Sequence, residues 1–114
     1  MSQSSISILM LPVLLAEDVA ACRFVTPLCT QADADASTLG VARAAGLAGG
    51  RCPVDVLGTA TVEAGATIAV GATLKSDSSG RAITWAASGA KVGIALEAAT
   101  AAGQFIEVLL PNAA

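Results

Sequence analysis

Three cysteines and a scatter of carboxylates are the side chains in this sequence that could carry chemistry. The cysteines are Cys22, Cys29 and Cys52, an odd number at long spacings with no Cys-x-x-Cys pair. Histidine is absent, so a zinc site would need a carboxylate as its fourth ligand, which is rare in structural sites. We therefore expect reduced thiols that serve as small buried hydrophobes, with a Cys22–Cys29 or Cys29–Cys52 disulfide as the alternative.

The carboxylates and hydroxyls do not fall into a catalytic pattern. Without His, a Ser-His-Asp or Cys-His arrangement cannot form within one chain, and without Tyr there is no phenolic acid. The carboxylates Glu63, Asp77, Glu97 and Glu107 are spread out, and no glycine-rich loop leads into Lys followed by Ser or Thr. The sequence therefore predicts a protein that is not an enzyme and that uses no cofactor.

Two weaker motifs are better explained by structure than by chemistry. Asp33-Ala34-Asp35 has the spacing of a calcium loop but lacks its glycine and its distal glutamate, so we expect a solvated loop and no metal site. Biotinyl and lipoyl carrier domains expose a modified lysine at a hairpin tip, and Lys75 stands just before the turn from Asp77 to Gly80. Its neighbours are Leu74 and Ser76 rather than Met or Asp, which argues against a carrier role.

The composition favours association with other protein. The chain has 114 residues, which predicts one domain, and only 13% of them are charged, against roughly 25% in an average soluble protein. Burial of surface by neighbouring subunits explains the low charge, although an Ala- and Gly-rich composition also raises the apolar fraction. The net charge of −3 and the scattered six Lys and Arg predict neither direct binding to nucleic acid nor attraction to an anionic membrane.

The first 18 residues are expected to form an extended arm, and residues 19–114 a single β domain. Residues 6–15 are apolar, and Pro12 argues against a helix interior. Two interpretations stay open for this segment. It is either a strand that pairs with the sheet edge of another chain or the first strand of the domain's own sheet.

A possible processing site lies just after the arm. Val19-Ala20-Ala21-Cys22 resembles a lipoprotein cleavage box, but residues 1–7 contain no Lys or Arg, and a secretory signal needs a positive beginning. The apolar run before the box is too short to span a bilayer. A small surface or periplasmic β domain that binds a ligand, anchored through Cys22, is therefore kept as the alternative function.

The rest of the chain has the pattern of an all-β domain. Short β-branched segments alternate with glycine turns, which is typical of a small barrel or sandwich. The expected strands cover residues 20–26, 38–42, 54–62, 81–85, 92–96 and 104–110, and residues 98–102 are a candidate for one short helical turn. Gly65-Ala66-Thr67-Ile68 returns as Gly71-Ala72-Thr73-Leu74, which predicts that Ile68 and Leu74 both face the core.

Several segments stand in a familiar order. They are residues 54–58, 62–68, 71–77, 80–82, 92–99 and 103–110. The most specific part is the turn Ser76-Asp77-x-x-Gly80-Arg81-Ala82 followed by Val-Gly-Ile-Ala-Leu-Glu-Ala-Ala at 92–99. Over roughly residues 38–110, this ordered set resembles the tailed-phage capsid decoration, or head cement, family.

The resemblance implies a β-barrel of the β-tulip type and no catalytic residues. It implies a virion protein made in the host cytoplasm, a homotrimer on the capsid exterior that binds the major capsid protein and stabilises the expanded shell against DNA pressure. An arm that adds to a capsid-protein strand would be typical, and we assign Ile6, Ile8, Leu9 and Leu11 to it. Trp85 and Phe105 are expected at the subunit interface. A subunit of an enzyme complex whose active site lies elsewhere is a third possibility.

Overall fold

The protein is built entirely from β-strands in a computed structural model that describes residues 7–86 and 88–110. The strands are β1 (Ser7–Leu14), β2 (Phe24–Val25), β3 (Gly40–Ala42), β4 (Arg51–Glu63), β5 (Thr73–Ser76), β6 (Ala82–Thr84), β7 (Gly93–Ala95) and β8 (Phe105–Leu109). No helix that could span a membrane occurs in this described part of the chain.

The strands form one antiparallel sheet that curls until its two ends nearly meet. Their order is β2-β3-β4-β8-β7-β5-β6, and β1 pairs with β4 beside this path. Near these ends, Phe24 N of β2 donates to Gly80 O at 2.8 Å, and a bridge links Ala82 of β6 to Ala64, just after β4. The all-β prediction, with a small barrel, is therefore confirmed.

Strand β4 is long enough to serve two cores. Its residues 51–58 pair with β1 and its residues 59–63 pair with β8, and Gly58 stands at the change of partner with φ of 101°. Only glycine adopts that backbone conformation readily, so Gly58 lets the strand bend.

Each core takes alternate residues from β4, as the two-residue period of a strand requires. The smaller core contains Val13, Leu15, Val19, Val25, Ala42, Cys52, Val54 and Val56. The larger core includes Phe24, Ala60, Val62, Ile68, Leu74, Val92, Ile106 and Val108. Ile68 and Leu74 are both buried here, which confirms the expectation drawn from the repeated Gly-Ala-Thr segments.

Two local predictions differ from the structure. Residues 98–102 contain no helical turn, because Ile68 and Ala99 exchange two main-chain hydrogen bonds at 2.8 and 2.9 Å and hold the segment as a bridge. The strand expected over residues 20–26 is limited to Phe24–Val25, since Cys22 has a left-handed φ of 61° and Pro27 lacks the amide proton a ladder needs.

Strand β1 belongs to the domain's own sheet. Leu11, Val13 and their neighbours run antiparallel to β4, with Leu11 opposite Val54 and Pro12 opposite Pro53. Of the two interpretations left open by the sequence, this pairing corresponds to the first strand of the domain itself. Residues 1–6 of the expected arm, including Ile6, lie outside the described residues.

Candidate functional site

Strand β1 has one paired edge and one outer edge. Within residues 7–86 and 88–110, its strand partner is β4 alone. Arg43 N donates to Pro53 O at 2.9 Å from the β3 side, so the main chain of Pro53 points away from β1. Pro12 faces Pro53, and the two residues of such a pair both direct their main-chain polar groups away from each other. The main-chain carbonyl of Pro12 therefore points towards the outer edge of β1.

The alternation of the ladder extends this argument to the rest of β1. Met10 and Leu14 lie two residues to either side of Pro12, so their main-chain N–H and C=O groups also face outward. The outer edge thus offers two complete donor–acceptor sets, with Pro12 supplying an acceptor only between them. An edge of this kind is a template for pairing with another chain.

The side chains of β1 are apolar on both faces. Leu9 is 41% exposed, Met10 46%, Leu11 37% and Leu14 55%, whereas Val13 is buried in the smaller core. Leu9 and Leu11, two of the four arm residues selected from sequence, are therefore at the surface. Ile8 lies in β1, but its side chain is outside the described part, and Ile6 lies outside it altogether.

A second apolar surface crosses the outside of the barrel. Trp85 N donates to Thr73 O at 2.8 Å, Thr73 faces Ile94, and Ile94 faces Leu109, so these four residues form one row across β5, β7 and β8. Ile94 is 43% exposed and Leu109 42%, and they line a shallow groove of about 230 Å3. We call Thr73, Trp85, Ile94 and Leu109 the outer-face row.

The other residue predicted at an interface lies away from this row. Phe105 is on the same face of β8 as Leu109 but four residues earlier, roughly 13 Å along the strand. It faces Glu63 and is 41% exposed. Sequence reasoning missed Ile94 and Leu109. The alternation of β8 places Leu109 on the face of Phe105 and was a usable signal.

Trp85 is fixed in place at the end of the row. Its Nε1 donates to Gly89 O at 2.9 Å, and Lys91 Nζ lies 4.5 Å from the centre of its ring. A cation over an indole face is a favourable contact. The Trp85 side chain is half-buried in this position.

The motif that carried the resemblance has a structural explanation. Asp77 Oδ1 accepts from Ser79 N and Arg81 N at 2.8 and 2.9 Å, which closes the turn before β6. Arg23 then joins this turn to β4, because it donates to Ser79 O at 2.8 Å and pairs with Glu63 at 3.1 Å. Arg81 pairs with both Glu63 and Asp77. The Ser-Asp-x-x-Gly-Arg-Ala turn therefore binds both Arg23, which precedes β2, and Glu63, at the end of β4.

The two weak motifs meet each other in the fold. Asp35 Oδ1 lies 2.8 Å from Lys75 Nζ, so the candidate calcium carboxylate and the candidate carrier lysine form one ion pair. Lys75 is held along the protein surface with its side chain only 16% exposed. Among the described residues, no three His, Cys, Asp or Glu side chains come close enough to hold a metal ion.

The three thiols are free, and each is at least partly buried. Cys52 is buried, and Cys22 and Cys29 are half-buried. Burial raises the pKa of the Cys22 thiol, and the Glu63 carboxylate raises it further against the lowering effect of Arg23. Burial also raises the pKa of the Cys52 thiol. Both groups are therefore protonated near neutral pH and are poor nucleophiles.

A groove of about 320 Å3 opens beside Cys22. Its floor includes Asp55, which is 2% exposed and accepts from Arg43 Nε at 3.3 Å. Val41, Ala42, Arg43 and Thr61 complete the lining. The groove therefore has a mixed polar and apolar wall around the Arg43–Asp55 ion pair, and the second oxygen of Asp55, Oδ1, is buried without a hydrogen bond.

Comparison with known proteins agrees with this geometry. A family model described as phage cement protein matches residues 5–110. The crystal structure of the head fiber gp8.5 N base in bacteriophage phi29 is similar with a TM-score of 0.73. The match covers 92% of this chain and 95% of that chain at 21% identity, so it supports the fold alone. No curated protein matches the chain.

The family match extends from residue 5, near the start of the predicted arm, to residue 110, the last residue that the structure describes. It includes β1, both cores and the turn at Asp77, so no large part of the fold lies outside it. The resemblance read from the ordered segments is thereby confirmed. The chain belongs to the phage cement protein family, whose members are structural proteins on the exterior of the phage capsid.

Proposed function

We propose that the protein binds the outer surface of the expanded capsid as a homotrimer and holds neighbouring major capsid proteins together against the pressure of packaged DNA. The observation that carries this proposal is the apolar outer edge of β1. Met10 and Leu14 direct main-chain donors and acceptors outward there, and apolar side chains flank them on both faces. A capsid-protein strand that pairs with this edge would satisfy the main-chain donors and acceptors and would cover the apolar side chains.

Strand addition also gives a role to the predicted arm. Ile6 and Ile8 precede the described side chains of β1, and together with Leu9 and Leu11 they extend the apolar segment. In this proposal the partner strand lies along β1 itself, so the arm binds while it stays part of the domain's sheet. The conformation of β1 is then fixed before binding, which lowers the entropy lost on association.

Stabilisation of the capsid follows from selective binding. A ligand that binds the expanded shell and not its precursor shifts the equilibrium towards expansion by mass action. One trimer that bridges several capsid proteins gains avidity, because each further contact is intramolecular once the first has formed. Weak individual edges are therefore sufficient for firm decoration.

The outer-face row is our proposed contact between subunits. It brings Trp85 together with Ile94 and Leu109, which are exposed apolar residues on consecutive strands. We keep Phe105 as an outlying member of the same face. Light scattering on the purified protein should give the mass of three chains, and Ile94→Asp should give a monomer, because burying an unpaired carboxylate in the contact is costly.

Anchoring at Cys22 after cleavage fits the packing poorly. Cleavage there would remove β1 and, with it, Val13, Leu15 and Val19 from the smaller core. Cys22 N is also already bonded to Ala42 O at 2.9 Å. The ligand-binding alternative is therefore the weaker proposal.

Co-sedimentation with capsids tests the function. The wild-type protein should pellet with expanded capsids from its own phage and should remain in the supernatant with precursor capsids. Equal binding to both forms would leave decoration without a stabilising effect, and binding to neither would refute the proposal.

A further inference from the structure

Three leucines at one end of the molecule are far more exposed than a core-forming residue normally is. Leu28 is 80% exposed, Leu47 71% and Leu14 55%. Leu14 ends β1, and the other two lie in separate loops. We call these three residues the leucine tip.

Main-chain hydrogen bonds bring the three segments together at Leu15 and Ala16. Leu15 N donates to Gly50 O and Gly49 N donates to Leu15 O, both at 2.9 Å, which holds the loop of Leu47 against the end of β1. Ala16 N donates to Cys29 O at 2.9 Å, which holds the loop of Leu28 there as well. The three segments that carry the leucines are therefore held together by the fold.

The loop that carries Leu47 is apolar as well. Residues 44–50 contain only alanine and glycine besides Leu47. A groove of about 350 Å3 runs beside Leu47, and it is lined by small apolar residues together with Asp18.

The loop that carries Leu47 is anchored. Ala48 N donates to Asp18 Oδ1 at 2.9 Å, and Gly50 N donates to Leu47 O at 2.9 Å. Exposed apolar side chains on segments that the fold brings together are often part of an interaction surface.

We propose that the leucine tip is a second docking surface, which seats in an apolar depression of the capsid protein bordered by basic side chains. The inference rests on the proposed function and extends it to residues outside the β1 edge. Leu14 belongs to both surfaces, so a partner strand along β1 leads directly onto the tip.

Charge supports this occupant over a second copy of the chain. Glu17 and Asp18 are exposed beside the tip, and Arg51 faces Leu14 across the ladder, which leaves a local excess of negative charge. Two tips packed against each other would bring like charges together. A partner with a basic border avoids that repulsion.

The test compares Leu28→Ala and Leu47→Ala with Val70→Ala. Val70 is 65% exposed in a loop of the barrel, so it is a matched apolar truncation elsewhere. All three variants should keep the wild-type melting temperature and oligomeric state, because exposed truncations rarely change stability. Each tip variant should lower affinity for expanded capsids about tenfold and the pair about a hundredfold, while Val70→Ala binds normally.

The outcomes separate the two proposals. If the wild type fails to bind capsids, the proposed function fails. If the wild type binds and the double variant Leu28→Ala, Leu47→Ala binds equally well, the leucine tip is not a docking surface. A double variant that loses self-association instead would assign the tip to subunit contact and overturn the inference. Glu17→Gln should reduce the salt dependence of capsid binding, and an unchanged dependence would contradict the basic border.

Discussion

Residues 7–58 and residues 59–110 use apolar side chains in different ways. Of the ten large apolar side chains that are well exposed in the described residues, six lie in the first region and four in the second. The first region has the smaller core, and its exposed residues cluster along β1 and at the leucine tip. The second supplies most of the larger core. Most of the well-exposed large apolar side chains among the described residues therefore lie in the first region.

The two regions are nevertheless one folding unit. Phe24 and Val41 come from the first region but are buried in the larger core. Strand β4 runs through both regions, and Arg23 links β2 to the turn at Asp77. The packing of the two regions is therefore continuous.

The largest expected effect is on the barrel core. Leu74 is fully buried in the larger core, so Leu74→Ala should lower the free energy of unfolding by about 2–5 kcal/mol through lost contacts and a cavity. Urea denaturation followed by tryptophan fluorescence measures this, since Trp85 is the single tryptophan. If Leu74→Ala lowered the free energy of unfolding as little as Leu28→Ala, the contrast between the barrel core and the exposed leucine tip would be wrong.

The next effect separates the two edges of β1. The main chain of Leu11 faces β4, so Leu11→Pro should remove a ladder hydrogen bond, leave the facing carbonyl without its donor, and lower the free energy of unfolding by about 1–3 kcal/mol. Met10→Pro removes an amide that faces outward and should change the melting temperature little. Equal destabilisation by both variants would show that the outer edge of β1 is already used within the domain.

A smaller effect is expected at the link between the regions. Arg23 is about one-fifth exposed and pairs with Glu63, so Arg23→Met should cost about 1–3 kcal/mol because a partly buried carboxylate loses a charged partner. Lys91→Met, at an exposed position, provides the control. If both changes cost the same, the network does not join the two regions.

The smallest effect concerns pH. Burial raises the pKa of Cys22 and Cys52 in the folded state, so the folded protein retains protons that the unfolded chain has lost. The stabilising free energy from these two protonated thiols is fully present below the unfolded thiol pKa of about 8.5. It is lost as the pH rises through the raised pKa of the folded state. Stability should therefore fall above that pH, and less steeply in Cys52→Ala. A decline of equal slope in that variant would exclude this thiol as a cause.

The predictable part of the fold is the part with local signals. The turn from Asp77 to Gly80 and the strand at residues 104–110 each depend on neighbours in sequence, and the sequence predicts them. The failure at 98–102 has a different cause, because the bridge between Ile68 and Ala99 depends on a residue about thirty positions away.

The candidate site was only partly predictable for the same reason. An apolar segment interrupted by a proline led to Leu9 and Leu11. The sequence did not decide whether that segment pairs with another chain or with the domain's own sheet. The leucine tip depends on three loops that meet at Leu15 and Ala16, and no local pattern indicates that meeting. Ile94 and Leu109 required the strand order of the barrel, which places β7 beside β8.

Capsid binding by Met10→Pro tests the central claim most directly. The claim is that the outer edge of β1 pairs with a capsid-protein strand, so loss of the outward Met10 amide should lower affinity for expanded capsids by about tenfold or more. The melting temperature and oligomeric state should match the wild type. Wild-type affinity in a folded Met10→Pro protein would contradict the account.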